Sequence, residues 1–233
     1  MKMTLRWYGP EADPIPLQYI RQIPGVTGIV TSLMDMPAGA LWPADRIAER
    51  KRQVEEAGLE MKVIESVNVH EDIKLCLPSR DEYIANYITT LERLADAGVE
   101  VVCYNFMPVF DWTRTDLASP RPDGSTALAY RQELVDAVGD PQTFAEKIEK
   151  NTRGFAMPGW EPERMAEIRR LFVLYKEISH EDLFRNLAYF LEAVIPVCEA
   201  RGISMAIHPD DPPWDIFGLP RIVTGKGSLE RVL

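Results

Sequence analysis

The stretch Gly98-Val99-Glu100-Val101-Val102-Cys103-Tyr104-Asn105 decides the fold. It follows a helix-like segment, and glycine is the residue that takes the positive φ of a helix C-terminus without strain. The run after the glycine is β-rich and almost continuously apolar, not alternating. Continuous apolarity suits a strand buried on both faces of a parallel sheet. Asn105 then restores polarity where such a strand ends.

The same order of helix, glycine, apolar run and polar residues recurs in Gly25 to Thr31, Gly58 to Glu65 and Gly202 to His208. Between these junctions the periodicity is helical. Ala44 to Ala57 is charged and amphipathic, with Ile47 and Val54 on one face. Asp81 to Ala97 places Tyr83, Ile84, Tyr87, Leu91 and Leu94 at helical spacing. Glu181 to Ala200 does the same with Leu187, Phe190, Leu191 and Val194, and holds Pro196, a place for a bend. With Leu5 to Tyr8 as an opening strand, five strands alternate with helices before residue 210. That alternation predicts βα units and a parallel sheet.

The junction glycines lie 33, 40 and 104 residues apart. The third step exceeds one βα unit by roughly 60 residues. The excess, residues 109–178, reads as a helical insertion after strand 4, rich in Pro and Gly and without an apolar strand run. It is expected to be a lid or an oligomer contact, for which Phe155, Met157 and Trp160 offer apolar side chains, or else a solvated excursion. Gly225 to Ser228 reads as a loop and helix cap, followed by a short helical stretch to Leu233. Five βα units look like part of a (β/α)₈ barrel, which takes about 250 residues before insertions. The chain is therefore expected to be one α/β domain of TIM-barrel type, residues 1–233, incomplete at its C-terminal side.

Acidic residues outnumber basic ones, 36 to 26, and the net charge is −10. That balance argues against non-specific binding to nucleic acid or an anionic membrane. No apolar run approaches a membrane span. Cys76, Cys103 and Cys198 are odd in number and widely spaced. A disulfide framework is not expected, and the cytoplasm is the expected setting.

In parallel α/β folds chemistry sits at the C-terminal ends of the strands. The candidates there are Trp7, Glu65, His70, Asn105, Arg114, His208 and Asp210. His208 follows Met205-Ala206-Ile207 and reads as a metal ligand or as a hydrogen-bonded structural histidine. Asp210 and Asp211 precede Pro212-Pro213, where at least one is expected to cap or turn the chain. Glu65 suits a metal, a hydroxyl or a backbone group. His70-Glu71-Asp72 is a substrate-handling loop or a helix N-terminus, where acids are favourable. Arg114 suits a bidentate carboxylate clamp or an ion pair with Asp111 or Asp116, the pair being favoured by spacing. Cys103 is expected to be a packed thiol and His180 a cap or surface residue. No GxGxxG, P-loop, HExxH or GxSxG pattern occurs.

Several blocks carry a family resemblance. They are Arg6-Trp7-Tyr8-Gly9-Pro10, Glu65-Ser66-Val67 with His70-Glu71-Asp72-Ile73-Lys74, and Val102-Cys103-Tyr104-Asn105-Phe106-Met107-Pro108. Asp111-Trp112-Thr113-Arg114-Thr115-Asp116-Leu117 and His208-Pro209-Asp210-Asp211-Pro212-Pro213 with Gly218-Leu219-Pro220-Arg221-Ile222-Val223 complete them. In this order they resemble the mannonate dehydratases of hexuronate degradation. The resemblance implies a xylose-isomerase-like TIM barrel that dehydrates D-mannonate to 2-dehydro-3-deoxy-D-gluconate in glucuronate catabolism, with Mn²⁺ or Fe²⁺. It implies that His208 is a metal ligand, and that the family's other ligands, a Cys, a His and an Asp, come from later strands; Cys103 and His70 do not match them. It further implies a substrate-facing wall of Trp7, Glu65, His70, Asn105, Arg114 and Asp210. General acid and base stay unassigned. The alternatives are a sugar isomerase or epimerase on the same barrel, or a catalytically incomplete fragment; the 233-residue chain alone is expected to be poorly active. The expected partner is a small sugar acid, and homo-oligomerisation stays open.

Overall fold

A computed structural model gives the fold and describes residues 2–137 and 165–233. Phe155, Met157 and Trp160, with much of the expected insertion, lie outside the described residues. The chain divides into two compact units, residues 1–106 with 185–208 and residues 107–184 with 209–233.

The first unit holds β1 (Met3–Arg6), α1 (Leu17–Arg21), β2 (Val26–Thr31), α2 (Ala44–Glu56), β3 (Glu60–Glu65), α3 (Glu71–Lys74), α4 (Arg80–Asp96) and β4 (Val101–Tyr104). Two short strands and two short helices follow in the chain: β5 (Asp116–Pro120), β6 (Thr126–Ala129), α5 (Gln132–Asp136) and α6 (Met165–Tyr175). Then come α7 (His180–Arg201), which continues through Pro196, β7 (Ser204–Ile207) and α8 (Lys226–Val232). No helix among the described residues is long and apolar enough to cross a membrane.

The five strands of the first unit form one sheet in the order β1-β2-β3-β4-β7, and each neighbouring pair is parallel. The order follows the chain and never reverses, unlike a doubly wound sheet, whose order reverses at a switch point. The junction glycines Gly25, Gly58, Gly98 and Gly202 all hold positive φ, between 71° and 84°. At Gly98 the turn is closed by its N–H on Ala95 O at 2.8 Å, and Val99 N–H reaches Leu94 O at 3.0 Å. These bonds satisfy carbonyls that the last helical turn leaves without partners.

The strands are not buried on both faces, as continuous apolarity suggested. In β4, Val102 and Tyr104 are buried whereas Val101 and Cys103 are half-buried. The pleat explains this, because alternate side chains point to opposite faces. One face packs on helices: Tyr104 lies 5.9 Å from Phe190 of α7 between ring centroids, and Tyr87 of α4 meets Phe190 edge-on at 5.0 Å. Ile64, Val102, Leu91, Leu94, Leu187 and Val194 are nearly or wholly excluded from solvent. The other face carries Glu65, Cys103 and Ala206 in one register row. Its residues stay partly exposed, so apolarity there does not produce full burial.

The second unit corrects the expectation of a purely helical insertion. Its first elements are β5 and β6, paired antiparallel. Arg121-Pro122-Asp123-Gly124-Ser125 joins them. Arg121 N–H donates to Ser125 O at 2.8 Å, and Ser125 N–H to Asp123 Oδ1 at 2.9 Å. Pro-Asp-Gly is turn chemistry with a mechanism, since Pro presets φ and Gly124 accepts φ +83°. Ala118, Ala127 and Ala129 are small and Leu128 is exposed, so neither strand shows an apolar run in sequence. α8 begins at Lys226, three residues before the expected start, and Ser228 Oγ accepts from Thr224 and Gly225 N–H.

Leu91 lies in the wholly buried helix-facing core. Leu91→Ala is expected to lower unfolding free energy by about 2–5 kcal/mol, read as a shifted urea midpoint with unchanged slope.

Candidate active site

In the first unit the C-terminal strand ends gather a polar set. β1 ends in Arg6, whose Nη1 lies 3.7 Å from Glu65 Oε2 at the end of β3. Glu65 pairs in register with Cys103 on β4. The Glu65–Ser66 peptide is cis. Ser66 O accepts from Ser32 Oγ at 2.8 Å, and Ser66 Oγ donates to Asn68 Oδ1 at 2.5 Å. These bonds fix the backbone just past Glu65. Burial pushes the Cys103 thiol up to about 11, with the Glu65 carboxylate adding to the effect.

His70 is the N-cap of α3. Its Nδ1 accepts the Asp72 N–H at 3.1 Å, and its ring stacks on Tyr83 at 3.7 Å. The helix-terminus alternative describes its contacts. With Nδ1 accepting, the neutral ring carries its proton on Nε2. Lys74, nearly enclosed, places Nζ 2.7 Å from Glu71 Oε1. Asn105 is buried at the end of β4. His208 extends β7 by one pairing: its N–H donates to Tyr104 O at 2.7 Å, and the residue is half-buried. Glu65, Asn105 and His208 thus stand at the ends of β3, β4 and β7.

Trp7 belongs to different surroundings. It is 4 % exposed, its Nε1 donates to Ile15 O at 3.1 Å, and the Arg50 guanidinium lies 5.3 Å from its ring. It lines a groove of about 440 Å³ with Pro14, Ile15, Pro16 and Gln53. One residue beyond Arg6, it takes the opposite side of the strand.

In the second unit Arg114 is committed to an ion pair, and the partner is neither Asp111 nor Asp116. Nη1 and Nη2 hold the two oxygens of Asp211 at 2.8 and 2.5 Å, and the guanidinium lies 5.4 Å from the Trp112 ring. The geometry is the two-pronged fork that matches a carboxylate. Asp210 is 3 % exposed; its Oδ2 accepts from Ile222 N–H at 2.6 Å and Val223 N–H at 2.9 Å. It is the acid that fixes the turn. Buried Arg221 donates both Nη groups to Phe110 O at 3.2 Å. Exposed His180 opens α7 and sets Nε2 2.8 Å from Asp215 Oδ1.

Sequence reasoning left Arg6, Asp211 and Arg221 out of the candidate set. Arg6 carried a signal, a cation inside an apolar opening strand. The Arg114–Asp211 pair spans 97 residues, and no local pattern announces it.

A divalent transition ion needs several donors on one point. Among the described residues no group of three or more His, Cys, Asp or Glu side chains is placed to hold one.

Two outcomes test these contacts. Asp210→Ala removes the acceptor of two buried N–H groups and is expected to cost about 1–3 kcal/mol of stability per group left unsatisfied, measured by urea unfolding. Cys103 and Cys198 both have thiols pushed up to about 11 by burial. A raised thiol keeps its proton below that pH, so iodoacetamide at pH 8 is expected to modify exposed Cys76 first, read by peptide mass spectrometry.

A family model described as D-mannonate dehydratase (UxuA) matches residues 1–233. The chain is 57 % identical over 233 residues to the mannonate dehydratase of Geobacillus thermodenitrificans, covering all of this chain and 62 % of that one. It is 59 % identical to that of Endomicrobium trichonymphae, of which it covers 64 %. The crystal structure of mannonate dehydratase from Streptococcus suis serotype 2 is similar with a TM-score of 0.83 and 49 % identity, over 99 % of this chain and 60 % of that one. The chain thus spans less than two thirds of the length of these relatives.

Proposed function

The chain belongs to the D-mannonate dehydratase family, and we propose that its five parallel strands form part of a xylose-isomerase-like TIM barrel that converts D-mannonate to 2-dehydro-3-deoxy-D-gluconate and water. The match along residues 1–233 carries this proposal. The unreversed strand order supports it, because a singly wound parallel sheet is the kind that closes into a barrel. We place the reaction in glucuronate catabolism in the cytoplasm, a setting that the free Cys76, Cys103 and Cys198 suit.

The chemistry asks for three things. The C2 proton, beside the carboxylate, leaves to a base. The C3 hydroxyl takes a proton and leaves as water. The enol so formed tautomerises to the 2-keto acid. Negative charge develops on the carboxylate oxygens, and fixed donors aimed at them lower the barrier. Glu65 and Asn105 sit at strand ends with side chains suited to sugar hydroxyls. His70 has Nδ1 engaged with Asp72 N–H and its ring stacked on Tyr83. Trp7 is fixed by packing in the first unit, and Arg114 and Asp210 are fixed in the second by the Asp211 pair and the Ile222–Val223 turn.

We propose Mn²⁺ or Fe²⁺ as the family's ion, with His208 as one donor. The described residues do not fit such an ion by themselves, since His208 brings one imidazole and no group of three donors accompanies it.

The test incubates the chain with D-mannonate and Mn²⁺ and reads 2-keto-3-deoxy acid with thiobarbiturate. Slow product formation, restricted to mannonate among hexonates and aldoses, is expected. Turnover of an aldose with no 2-keto-3-deoxy acid would overturn the proposal in favour of an isomerase.

A further inference from the structure

Arg6 differs from the arginines that hold an oxygen acceptor. Arg114 grips Asp211 with two prongs, Arg46 does the same to Asp35 at 3.0 and 2.9 Å, and Arg221 holds Phe110 O. Arg50 reaches Ser32 O and Glu11, and Arg93 reaches Trp42 O. Among the described residues Arg6 has no oxygen acceptor within hydrogen-bond range. Its Nη1 is shut off from solvent without a hydrogen bond, and the nearest carboxylate oxygen, Glu65 Oε2, is at 3.7 Å. Its Nη2 meets only the thioether of Met34, at 3.8 Å, and the guanidinium lies 4.8 Å from the Tyr8 ring. Thioether sulfur is a weak acceptor. Leaving a buried donor unsatisfied costs about 1–3 kcal/mol, more for a charged group.

The placement of this fork matters. Arg6 is the last residue of β1, at the strand end where parallel α/β folds bind their ligands. Its side chain keeps about a quarter of its surface exposed (24 %), and that of Glu65 keeps 40 %. Nη1 itself is enclosed, and the rest of the pair keeps surface at the strand ends that a small molecule can reach.

We propose that Arg6 is the anchor for the substrate carboxylate. The inference rests on the sugar-acid reading above and names a binding residue for it. A guanidinium offers two parallel N–H groups to a planar carboxylate, a match that an ammonium does not reproduce. When the C2 proton leaves, the same two carboxylate oxygens gain charge, so the contact strengthens towards the transition state. Taking the substrate carboxylate releases Glu65 from Arg6 and frees its oxygens to accept from the hydroxyls of the same molecule. A purely structural Arg6–Glu65 pair accounts for the sheet contact and leaves the fork's remaining donors unexplained.

The experiment measures binding, so it does not depend on turnover. The 233-residue chain and its Arg6→Gln and Arg6→Lys variants are titrated with D-mannonate, D-gluconate and uncharged D-mannitol, followed by ligand-observed NMR. Thermal unfolding of each variant establishes that it is folded. Arg6→Gln is expected to weaken both hexonates roughly tenfold or more, the factor carried by a hydrogen bond to a charged group, and to leave mannitol unchanged. Arg6→Lys is expected to fall between the two. Unchanged hexonate affinity in folded Arg6→Gln, equal losses for mannitol and hexonates, or no hexonate binding by the parent chain each overturns the anchor. If the parent chain binds mannonate and gluconate alike and Arg6→Gln loses both, the anchor stands and selectivity for mannonate falls. If mannonate is preferred and Arg6→Gln changes nothing, the anchor alone falls.

Discussion

The parity of a parallel strand is the constraint on which the first unit depends. Successive side chains alternate between faces, and register locks each row to the next. Once Ile64 and Val102 face the helices, Glu65 and Cys103 face the other way. Arg6 and Trp7, adjacent in sequence, are likewise sent to different neighbours, one to Glu65 and one to Ile15 and Arg50. A shift of one residue in β3 would set Glu65 among leucines and expose Ile64. Core and polar strand ends are thus two results of one register.

The parts of the fold that sequence revealed are those governed by local chemistry. Glycine after a helix, apolar runs of strand length and helical spacing of Leu91 and Leu94 are all short-range features. They predicted five parallel strands and their helices to within a few residues. The features that escaped depend on distant partners or on weak burial. Arg114 selects Asp211 over its near neighbours because the fold presents that carboxylate in a two-pronged geometry. β5 and β6 carry alanines where a stronger strand would carry valines, so only their turn was legible. Two-sided burial of the sheet was inferred from continuous apolarity, and that pattern does not say how many layers cover a strand.

The site shows the same division. That Glu65, Asn105 and His208 stand at strand ends follows from where the apolar runs stop. The tasks of the individual groups do not follow, because they are set by satisfaction of hydrogen bonds. Asp210 Oδ2 is taken up by two backbone amides and Arg114 by a carboxylate, whereas the Arg6 guanidinium has only the Met34 thioether as a hydrogen-bond acceptor among the described residues. Residue type names the candidates; the bookkeeping of donors and acceptors separates scaffold from ligand contact.

The Asp210 turn has a dynamic consequence. One carboxylate oxygen holds the amides 12 and 13 residues further along the chain. The enclosed segment carries Asp211, the partner of Arg114, and Asp215, the partner of His180. Closing a loop costs entropy once, and after that the bonds within it share the cost. The segment is therefore expected to open as one cooperative unit. The Asp210 N–H also donates to Val223 O at 2.9 Å, so side chain and backbone of one residue close the same loop, and the segment's amide protons are expected to exchange with solvent together.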